Sequence, residues 1–350
     1  MPRARDGGLL HAFDPLLGRC IAGRYDVVSV IAEGGAAVVY EAIQRGLGRP
    51  VALKVMRPAA RVDAVLAARF EREARAVSVL DHPNVVSVFD VGRLRDGRVF
   101  LVMARIEGVD LAALLEDRGP VPLERAIELL RGPARALDRV HAAGLLHRDV
   151  KPENLVLERL ANGEEIVRLV DFGLAQLTAP DAPRLTAEGT LVGTPCYVSP
   201  EVARGAPAGA RSDVYSLACV LFELVTGAPP FDEVTALGTL VRKAREDPPT
   251  LSAFGVAASR EVEAVIARGL ARDPEARFQS AGALLDAAAR AAGAAREAPR
   301  ARRPRRERSA SLLLLAGVVL LVVGVVLAIL ADARRGGGQP ASWAEEAVLP

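Results

Sequence analysis

The chain has 350 residues, of which 51% are hydrophobic and 25% are charged, a balance that excludes a disordered chain and predicts a sizeable core. Its formal net charge of +2 is small and the arginine excess lies near one end, so we expect no nucleic-acid partner. The three cysteines are scattered without metal-ligand spacing, which favours a reducing compartment.

Lysine is rare among the basic residues of this chain. Of the 45 Lys and Arg residues, the lysines are Lys54, Lys151 and Lys243. Because the lysine ammonium is a compact point charge, a lysine kept against this bias indicates a position that needs it, although chance is the alternative.

Residues 25–57 have the composition of β-strands and follow an N-terminal extension at residues 1–24. Three runs rich in Val and Ile, YDVVSVIAEGG, AAVVYEAI and RPVALKVM, are separated by Gly or Pro. They predict a small antiparallel sheet.

A helix is predicted at residues 65–80, where VLAARFEREARAVSVL places apolar residues at helical spacing before Pro83 and Asn84. Residues 85–103 then return to strand character. The pattern predicts an α+β fold with a β-rich lobe over residues 25–103.

A join at residues 104–108 leads to a predominantly helical lobe over residues 109–288. Within this lobe, Pro133 follows Gly132 inside a long helical run, so a kink or a break is expected there.

The segment at residues 289–311 is rich in arginine and broken by proline, which is typical of a solvated linker. Residues 312–331 are then twenty uncharged residues, LLLLAGVVLLVVGVVLAILA. At about 1.5 Å per residue such a helix crosses a hydrocarbon core of about 30 Å. This predicts one transmembrane helix, followed by a short extracytoplasmic tail at residues 332–350.

Arginine is distributed unequally about this helix. Seven arginines lie between Arg296 and Arg308, whereas only Arg334 and Arg335 follow the helix. The positive-inside bias therefore predicts a single-pass protein of the plasma or inner membrane with its N-terminal part in the cytoplasm. Within the helix, Gly324 and Ala328 are four residues apart, a weak signal for a homodimer.

Several short motifs occur in order along residues 25–285: VALK, HRDVKPEN, DFG and GTPCYVSPE. Together they resemble a bacterial-type (Hanks-type) serine/threonine protein kinase, with the lysine two places after the HRD aspartate that marks the serine/threonine pattern. The resemblance implies a two-lobed protein-kinase-like fold, ATP with Mg²⁺ or Mn²⁺ as cofactors, and protein substrates.

The resemblance assigns roles in phosphoryl transfer. Asp149 accepts or orients the substrate hydroxyl proton, and Lys151 neutralises charge on the transferring phosphoryl group. Asn154 and Asp171 hold magnesium. Thr194 is expected near Asp149 and Lys151, where it helps to select a serine or threonine acceptor.

In the small lobe, the resemblance places Lys54 on a strand where its ammonium pairs with the α- and β-phosphates of ATP. Glu73 in FEREA is the expected partner of Lys54, with neighbouring Glu71 as the competing choice.

The resemblance also implies an adenine and ribose pocket. Met103 matches the gatekeeper, although ordinary core packing is equally compatible with it, Ala104 to Ile106 match the hinge, and Asp110 matches the ribose contact. The full set of expected ATP contacts is Ile31, Gly34, Val39, Ala52, Lys54, Met103, Ala104, Ile106 and Asp110.

The glycine-rich loop departs from the family pattern. The central glycine is kept as Gly34, while Ala32 and Ala37 occupy the outer positions. Since a Cβ penalises positive φ, we expect a stiffer loop or lower ATP affinity. This leaves a weakly active or inactive pseudokinase scaffold as the alternative to an active, autophosphorylating kinase.

Further family features follow the catalytic motifs. Glu201 is expected to pair with Arg277, and Asp213 to support the catalytic-loop backbone. Between DFG and SPE, a phosphate on Thr186 or Thr190 is predicted to pair with the arginine of HRD.

Overall fold

The computed structural model of the chain describes residues 14–35, 37–57, 64–172 and 195–297. The chain divides into two units, Met1–Glu297 and Ala298–Pro350, and every described residue lies in the first. Among the helices of these ranges, none has both the length and the apolar character needed to span a membrane. The predicted membrane helix at residues 312–331 lies outside the described residues.

The N-terminal lobe is built on a six-stranded antiparallel sheet with the spatial order β1-β2-β3-β4-β6-β5. Its strands are β1 (Cys20–Ile21), β2 (Tyr25–Glu33), β3 (Ala37–Gln44), β4 (Arg49–Met56), β5 (Val88–Arg93) and β6 (Val99–Ala104). The helix α1 (Ala64–Ser78) connects β4 to β5. The predicted sheet and helix are therefore both present.

Strand β4 lies between β3 and β6, and its residues from Val51 to Met56 are buried on both faces of the sheet. Successive side chains of a strand point to opposite faces, so Val51, Leu53 and Val55 enter the main apolar cluster of the lobe. Ala52 and Lys54 point to the other face, towards the second lobe.

Residues 14–24, which form part of the predicted N-terminal extension, contact the sheet. Leu16 and Ile21 are part of the apolar cluster of the sheet, and the hydroxyl of Tyr40 donates to Asp14 Oδ2 at 2.8 Å. Residues 14–24 therefore belong to the N-terminal lobe. Their short, polar-broken sequence concealed this because the contacts that hold them are distant in the chain.

The C-terminal lobe contains a small sheet and seven helices of four or more residues within the described ranges. The sheet has the order β7-β8-β9, and its strands β7 and β8 were missed by the predominantly helical prediction. The elements are β7 (Gly108–Asp110), α2 (Leu111–Arg118), α3 (Leu123–Ala142), β8 (Leu155–Arg159), β9 (Glu165–Leu169), α4 (Pro200–Ala203), α5 (Ala210–Thr226), α6 (Ala236–Arg245), α7 (Arg260–Gly269) and α8 (Ala281–Glu297).

Helix α5 forms the centre of this lobe. Thirteen of its 17 residues are buried, and a helix that is apolar on all sides must lie inside the protein. It packs against α3, α7 and α8. The buried polar residue Asp213 near its N-terminus is therefore placed at the middle of the lobe.

Helix α3 runs from Leu123 to Ala142 with Pro133 inside it, so the predicted break does not occur. The glycine that precedes Pro133, Gly132, is required by the packing of α3 against Asn84. A Cβ on Gly132 would lie 2.2 Å from Nδ2 of Asn84, a distance that real Cβ atoms do not adopt. Asn84 donates to the carbonyl of Val167 at 2.8 Å, so Gly132 allows α3 to approach the connection between α1 and β5.

A buried ion pair braces the C-terminal lobe as predicted. The guanidinium of Arg277, which is fully buried, binds both carboxylate oxygens of Glu201 at 2.9 and 2.6 Å and also the carbonyls of Ala271 and Arg211. Burial of Glu201 favours a higher pKa, but the hydrogen bonds and charge of Arg277 outweigh it and lower the pKa to about 2.

Replacing Arg277 by Met is expected to lower the free energy of unfolding by about 3–5 kcal/mol, because it leaves the Glu201 carboxylate buried without its cation. Chemical denaturation at pH 7 measures this loss. Arg272→Met, which removes an exposed pair with Asp247, is the control and should change stability by less than about 1 kcal/mol.

The same pair predicts a pH dependence. Because the folded pKa of Glu201 lies below the ordinary value of 4.5, its contribution is present above pH 4.5 and is lost as the pH falls towards 2. If the free energy of unfolding of Arg277→Met falls with decreasing pH as steeply as that of the wild type, this assignment is wrong.

Candidate active site

The catalytic loop, between α3 and β8, is held by the buried carboxylate of Asp213. Its oxygens accept the backbone N–H groups of His147 at 2.9 Å and Arg148 at 2.8 Å, and the ring Nε2 of His141 lies 2.8 Å away. Burial alone would raise the pKa of Asp213, but His141 and these N–H groups outweigh it and lower the pKa. Asp213 thus supports the loop as predicted.

Arg148 has a φ of 67°, in the left-handed region that non-glycine residues seldom occupy. Its N–H bond to Asp213 stabilises this conformation. Such strain is retained where surrounding contacts over-determine the backbone. It turns the chain so that the next residue, Asp149, leaves the loop beside Lys151 and Asn154.

Asp149 is held in one orientation by two donors. Nζ of Lys151 lies 3.0 Å from Oδ2 of Asp149, and Nδ2 of Asn154 donates to the same oxygen at 2.9 Å and to the Asp149 carbonyl at 2.7 Å. The structure therefore brings together all three residues predicted from HRDVKPEN. A carboxylate fixed in this way can orient an acceptor hydroxyl and take its proton.

The strand that precedes Asp171 is bonded directly to this loop. The N–H of Val170 donates to the carbonyl of Asn154 at 2.9 Å, and the ring Nε2 of His147 lies 3.1 Å from the Val170 carbonyl. Asp171, with a φ of 61°, then turns towards Lys54, and the ammonium of Lys54 contacts its Oδ1. Asn154 and Asp171 are thus neighbours, as the magnesium prediction requires.

Among the described ion pairs, Lys54 contacts Asp171, and Oε2 of Glu73 lies 3.4 Å from Nη1 of Arg148. The pairing of Lys54 with Glu73 stays a prediction. The cations of these two pairs are Lys54 and Arg148, and the carboxylates are Asp171 and Glu73. The order of these residues along the chain does not decide which of them pair. The competing choice, Glu71, binds Arg93 at 2.5 Å.

A small apolar cluster lies on the face of β4 that carries Lys54. Five predicted contacts gather there with two residues that sequence reasoning missed, Val86 and Val170. Val86 lies two residues after Asn84 of the Pro83-Asn84 turn, and Val170 directly precedes the DFG aspartate. The cluster consists of Val39, Ala52, Val86, Met103, Ala104, Ile106 and Val170.

Contacts within the protein constrain several of the predicted nucleotide-binding residues. The N–H of Ala104 donates to the carbonyl of Ser87 at 2.9 Å, so this N–H is already paired. Asp110 caps α2 by accepting from Ala113 at 2.8 Å. Ile31 on β2 is 49% exposed, so its apolar surface is available to a ligand.

The turn after β2 does not carry the strain expected of its alanines. Ala32 pairs with Val39 inside the sheet, Ala37 begins β3, and neither is among the described residues with positive φ. The N–H of Gly34 donates to the Ala37 carbonyl at 2.9 Å. Both alanines occupy ordinary extended backbone, so the expectation of a loop stiffened by a Cβ penalty is wrong at these positions.

Three predicted threonines, Thr186, Thr190 and Thr194, lie outside the described residues. Across the described ranges no three His, Cys, Asp or Glu side chains gather as a metal site. The donors that fit Mg²⁺ are Asp171 and Asn154. Because Nδ2 of Asn154 donates to Asp149, its amide oxygen is the atom left for a metal that also takes phosphate oxygens.

The two lobes, with an apolar cluster and converging lysines and carboxylates between them, define the catalytic domain of a protein kinase. The chain belongs to the protein kinase family, since the Protein kinase domain matches residues 25–287. The resemblance stated from the motifs is therefore confirmed.

Bacterial relatives share this domain. The chain is 39% identical over 275 residues to serine/threonine-protein kinase pkn3 of Myxococcus xanthus, across 77% of this chain and 50% of pkn3. It is 41% identical over 281 residues to serine/threonine-protein kinase PknE of Mycobacterium tuberculosis, across 80% of this chain and 48% of PknE. The chain thus spans about half the length of these relatives.

Solved structures agree with this assignment. The crystal structure of the M. tuberculosis PknI kinase domain has a TM-score of 0.62 at 32% identity and covers 79% of this chain and 98% of that one. Rad53 residues 1–466 in complex with AMP-PNP has a TM-score of 0.61 at 26% identity, covering 75% and 64%.

Enlarging Ala52 to Ile is expected to raise the KM for ATP at least ~10-fold, because the added methyl groups fill the space between Val86 and Met103. The melting temperature should change little, since the cluster is an edge of the cleft.

The matched control is Ala42→Ile, in the fully buried core of the neighbouring strand. There, stability should fall by about 1–3 kcal/mol while the KM for ATP is retained. The reverse pattern would contradict the placement of the pocket.

Proposed function

We propose that the chain is a serine/threonine protein kinase that transfers the γ-phosphoryl group of ATP to serine or threonine of protein substrates and to itself. The observation that carries the proposal is the hydrogen-bonded set of Asp149, Lys151 and Asn154, joined through Val170 to Asp171 and Lys54. Phosphoryl transfer requires positioning and charge neutralisation above all, and these residues supply both.

Each residue has one task in this reaction. Asp149 orients the acceptor hydroxyl and takes its proton as the new oxygen–phosphorus bond forms, and Lys151 balances charge on the group in transfer. Lys54 binds the phosphates of ATP. Asp171 and Asn154 hold Mg²⁺, or Mn²⁺ in its place, which supplies charge neutralisation at the phosphate oxygens.

The alternative of a pseudokinase scaffold loses its main support. It depended on Ala32 and Ala37, and both occupy unstrained strand positions. The charged set is complete, with Lys54 held in a buried position. Serine/threonine specificity rests on the lysine of HRDVKPEN and on the bacterial relatives, which are serine/threonine-protein kinases by name.

Asp149→Asn is expected to reduce phosphate incorporation from radiolabelled ATP at least ~100-fold, because the amide cannot take the hydroxyl proton. Phosphoamino-acid analysis of the wild-type product should give phosphoserine or phosphothreonine. Asp117→Asn, an exposed aspartate on α2, is the control and should keep wild-type activity. Equal incorporation by wild type and Asp149→Asn would support the scaffold instead.

We also propose that residues 312–331 anchor the chain in the plasma or inner membrane with the kinase domain in the cytoplasm. The support is the uncharged length of the segment and the seven arginines before it. Gly324 and Ala328 supply a face on which a second copy of the helix can pack.

The full chain is expected to stay with membranes after alkaline carbonate extraction, while a variant ending at Ser311 should be released, because it lacks the apolar helix. In intact cells, an impermeant maleimide should label Ser342→Cys and not Ala298→Cys. Labelling of Ala298→Cys alone would reverse the topology, and release of the full chain would exclude the anchor.

A further inference from the structure

Lys243 is the one lysine of this arginine-rich chain that the phosphoryl-transfer site does not use. It lies near the end of α6 and is 1% exposed, which is rare for lysine. A buried ammonium needs hydrogen-bond partners, so its surroundings show what it does.

The ammonium of Lys243 binds one short stretch of backbone. Nζ donates to the carbonyl oxygens of Pro195 at 2.7 Å and Val198 at 3.0 Å, and also to that of Cys196. The remaining carbonyl, of Tyr197, accepts from the hydroxyl of Ser216 at 2.8 Å. Side chains of α5 and α6 therefore account for every carbonyl of residues 195–198.

The contact depends on a compact cation. The three N–H groups of an ammonium match three carbonyls, whereas a planar guanidinium presents its donors in a fork. Lys243 forms no ion pair with a carboxylate among the described residues, and burial lowers its pKa to about 8. Carbonyl dipoles of residues 195–198 are thus the main stabilisation of this charge, and the charge in turn fixes those carbonyls.

Residues 195–198 and the catalytic loop are held by the same helix, because Ser216, which binds the Tyr197 carbonyl, lies three residues after Asp213, which binds the N–H groups of His147 and Arg148. The hydroxyl of Tyr197 donates to Oε2 of Glu223 at 2.6 Å. Burial raises the pKa of Glu223 to about 7, Tyr197 opposes the shift, and the charge of Glu153, two residues after Lys151, adds to it. Helix α5 therefore fixes both this stretch and the loop that carries Asp149, the residue that an acceptor hydroxyl must meet.

The stretch is independent of the nucleotide groups. Its carbonyls contact α5 and α6, whereas Lys54, Asp171 and the apolar cluster are held by β4, β6 and β9. A change at Lys243 can therefore alter the acceptor side of the cleft without altering the ATP side.

Resting on the proposed function, we propose that Lys243 is a positioning residue for the protein acceptor, which holds residues 195–198 as one wall of the acceptor site. Removing the ammonium of Lys243 leaves the carbonyls of Pro195, Cys196 and Val198 without their donor, so residues 195–198 are held less firmly. Acceptor binding then weakens, while ATP binding and the hydrolysis of ATP by water are kept.

The test compares full-length wild type, Lys243→Met and Lys243→Gln with myelin basic protein as acceptor. Lys243→Met keeps the length and loses the donors, so the KM for the acceptor should rise at least ~10-fold, with the KM for ATP and the ATP hydrolysis rate within about twofold of wild type. Lys243→Gln, which keeps two donors, should be intermediate. Arg242→Met, on the same helix and exposed, is the matched control.

Because Lys243→Met can also lower stability, Ser216→Ala is measured in parallel. It removes one carbonyl contact and should raise the acceptor KM by about twofold to fivefold with little change in melting temperature. Unchanged acceptor KM in the folded variants would overturn the inference, as would a parallel loss of ATP hydrolysis and acceptor phosphorylation. A wild type that phosphorylates nothing would overturn the proposed function and this inference with it.

Discussion

The buried carboxylate of Asp213 is the constraint on which the active site depends. A charge inside the helical lobe is stable only when donors surround it, and the donors here are two backbone N–H groups of the catalytic loop and His141. Meeting that requirement forces the loop into one shape, including the left-handed Arg148. Asp149 is oriented as a consequence, and through Asn154 and Val170 so is Asp171.

The two lobes share a buried apolar cluster and several polar contacts. The ammonium of Lys54 contacts Asp171, and Glu73 pairs with Arg148. Asn84 packs against Gly132 of α3 and donates to the carbonyl of Val167 on β9. Because each of these pairs joins residues far apart in the chain, the relative placement of the lobes and the state of the catalytic groups depend on the same interactions.

Two buried cations in the C-terminal lobe illustrate how side-chain geometry is matched to its task. Arg277 meets a carboxylate and several carbonyls, which suits the flat fork of a guanidinium. Lys243 meets carbonyls of one stretch, which suits a compact ammonium with three donors. The first braces the lobe, and the second fixes the backbone of residues 195–198.

From the sequence alone, the strands of the small lobe, α1, the catalytic motifs, the contacts of Asp213, Glu201 and Arg277, and most members of the apolar cluster beside Lys54 could be predicted. Those features follow from local periodicity or from motifs whose chemistry demands particular residues at particular spacings. The sequence could not assign Lys54 to Asp171, place residues 14–24 on the sheet, or find Val86, Val170 and the carbonyls held by Lys243. Each of these depends on groups distant in the chain, and which of several eligible charges or apolar side chains meet is decided only when the packed lobes fix their distances.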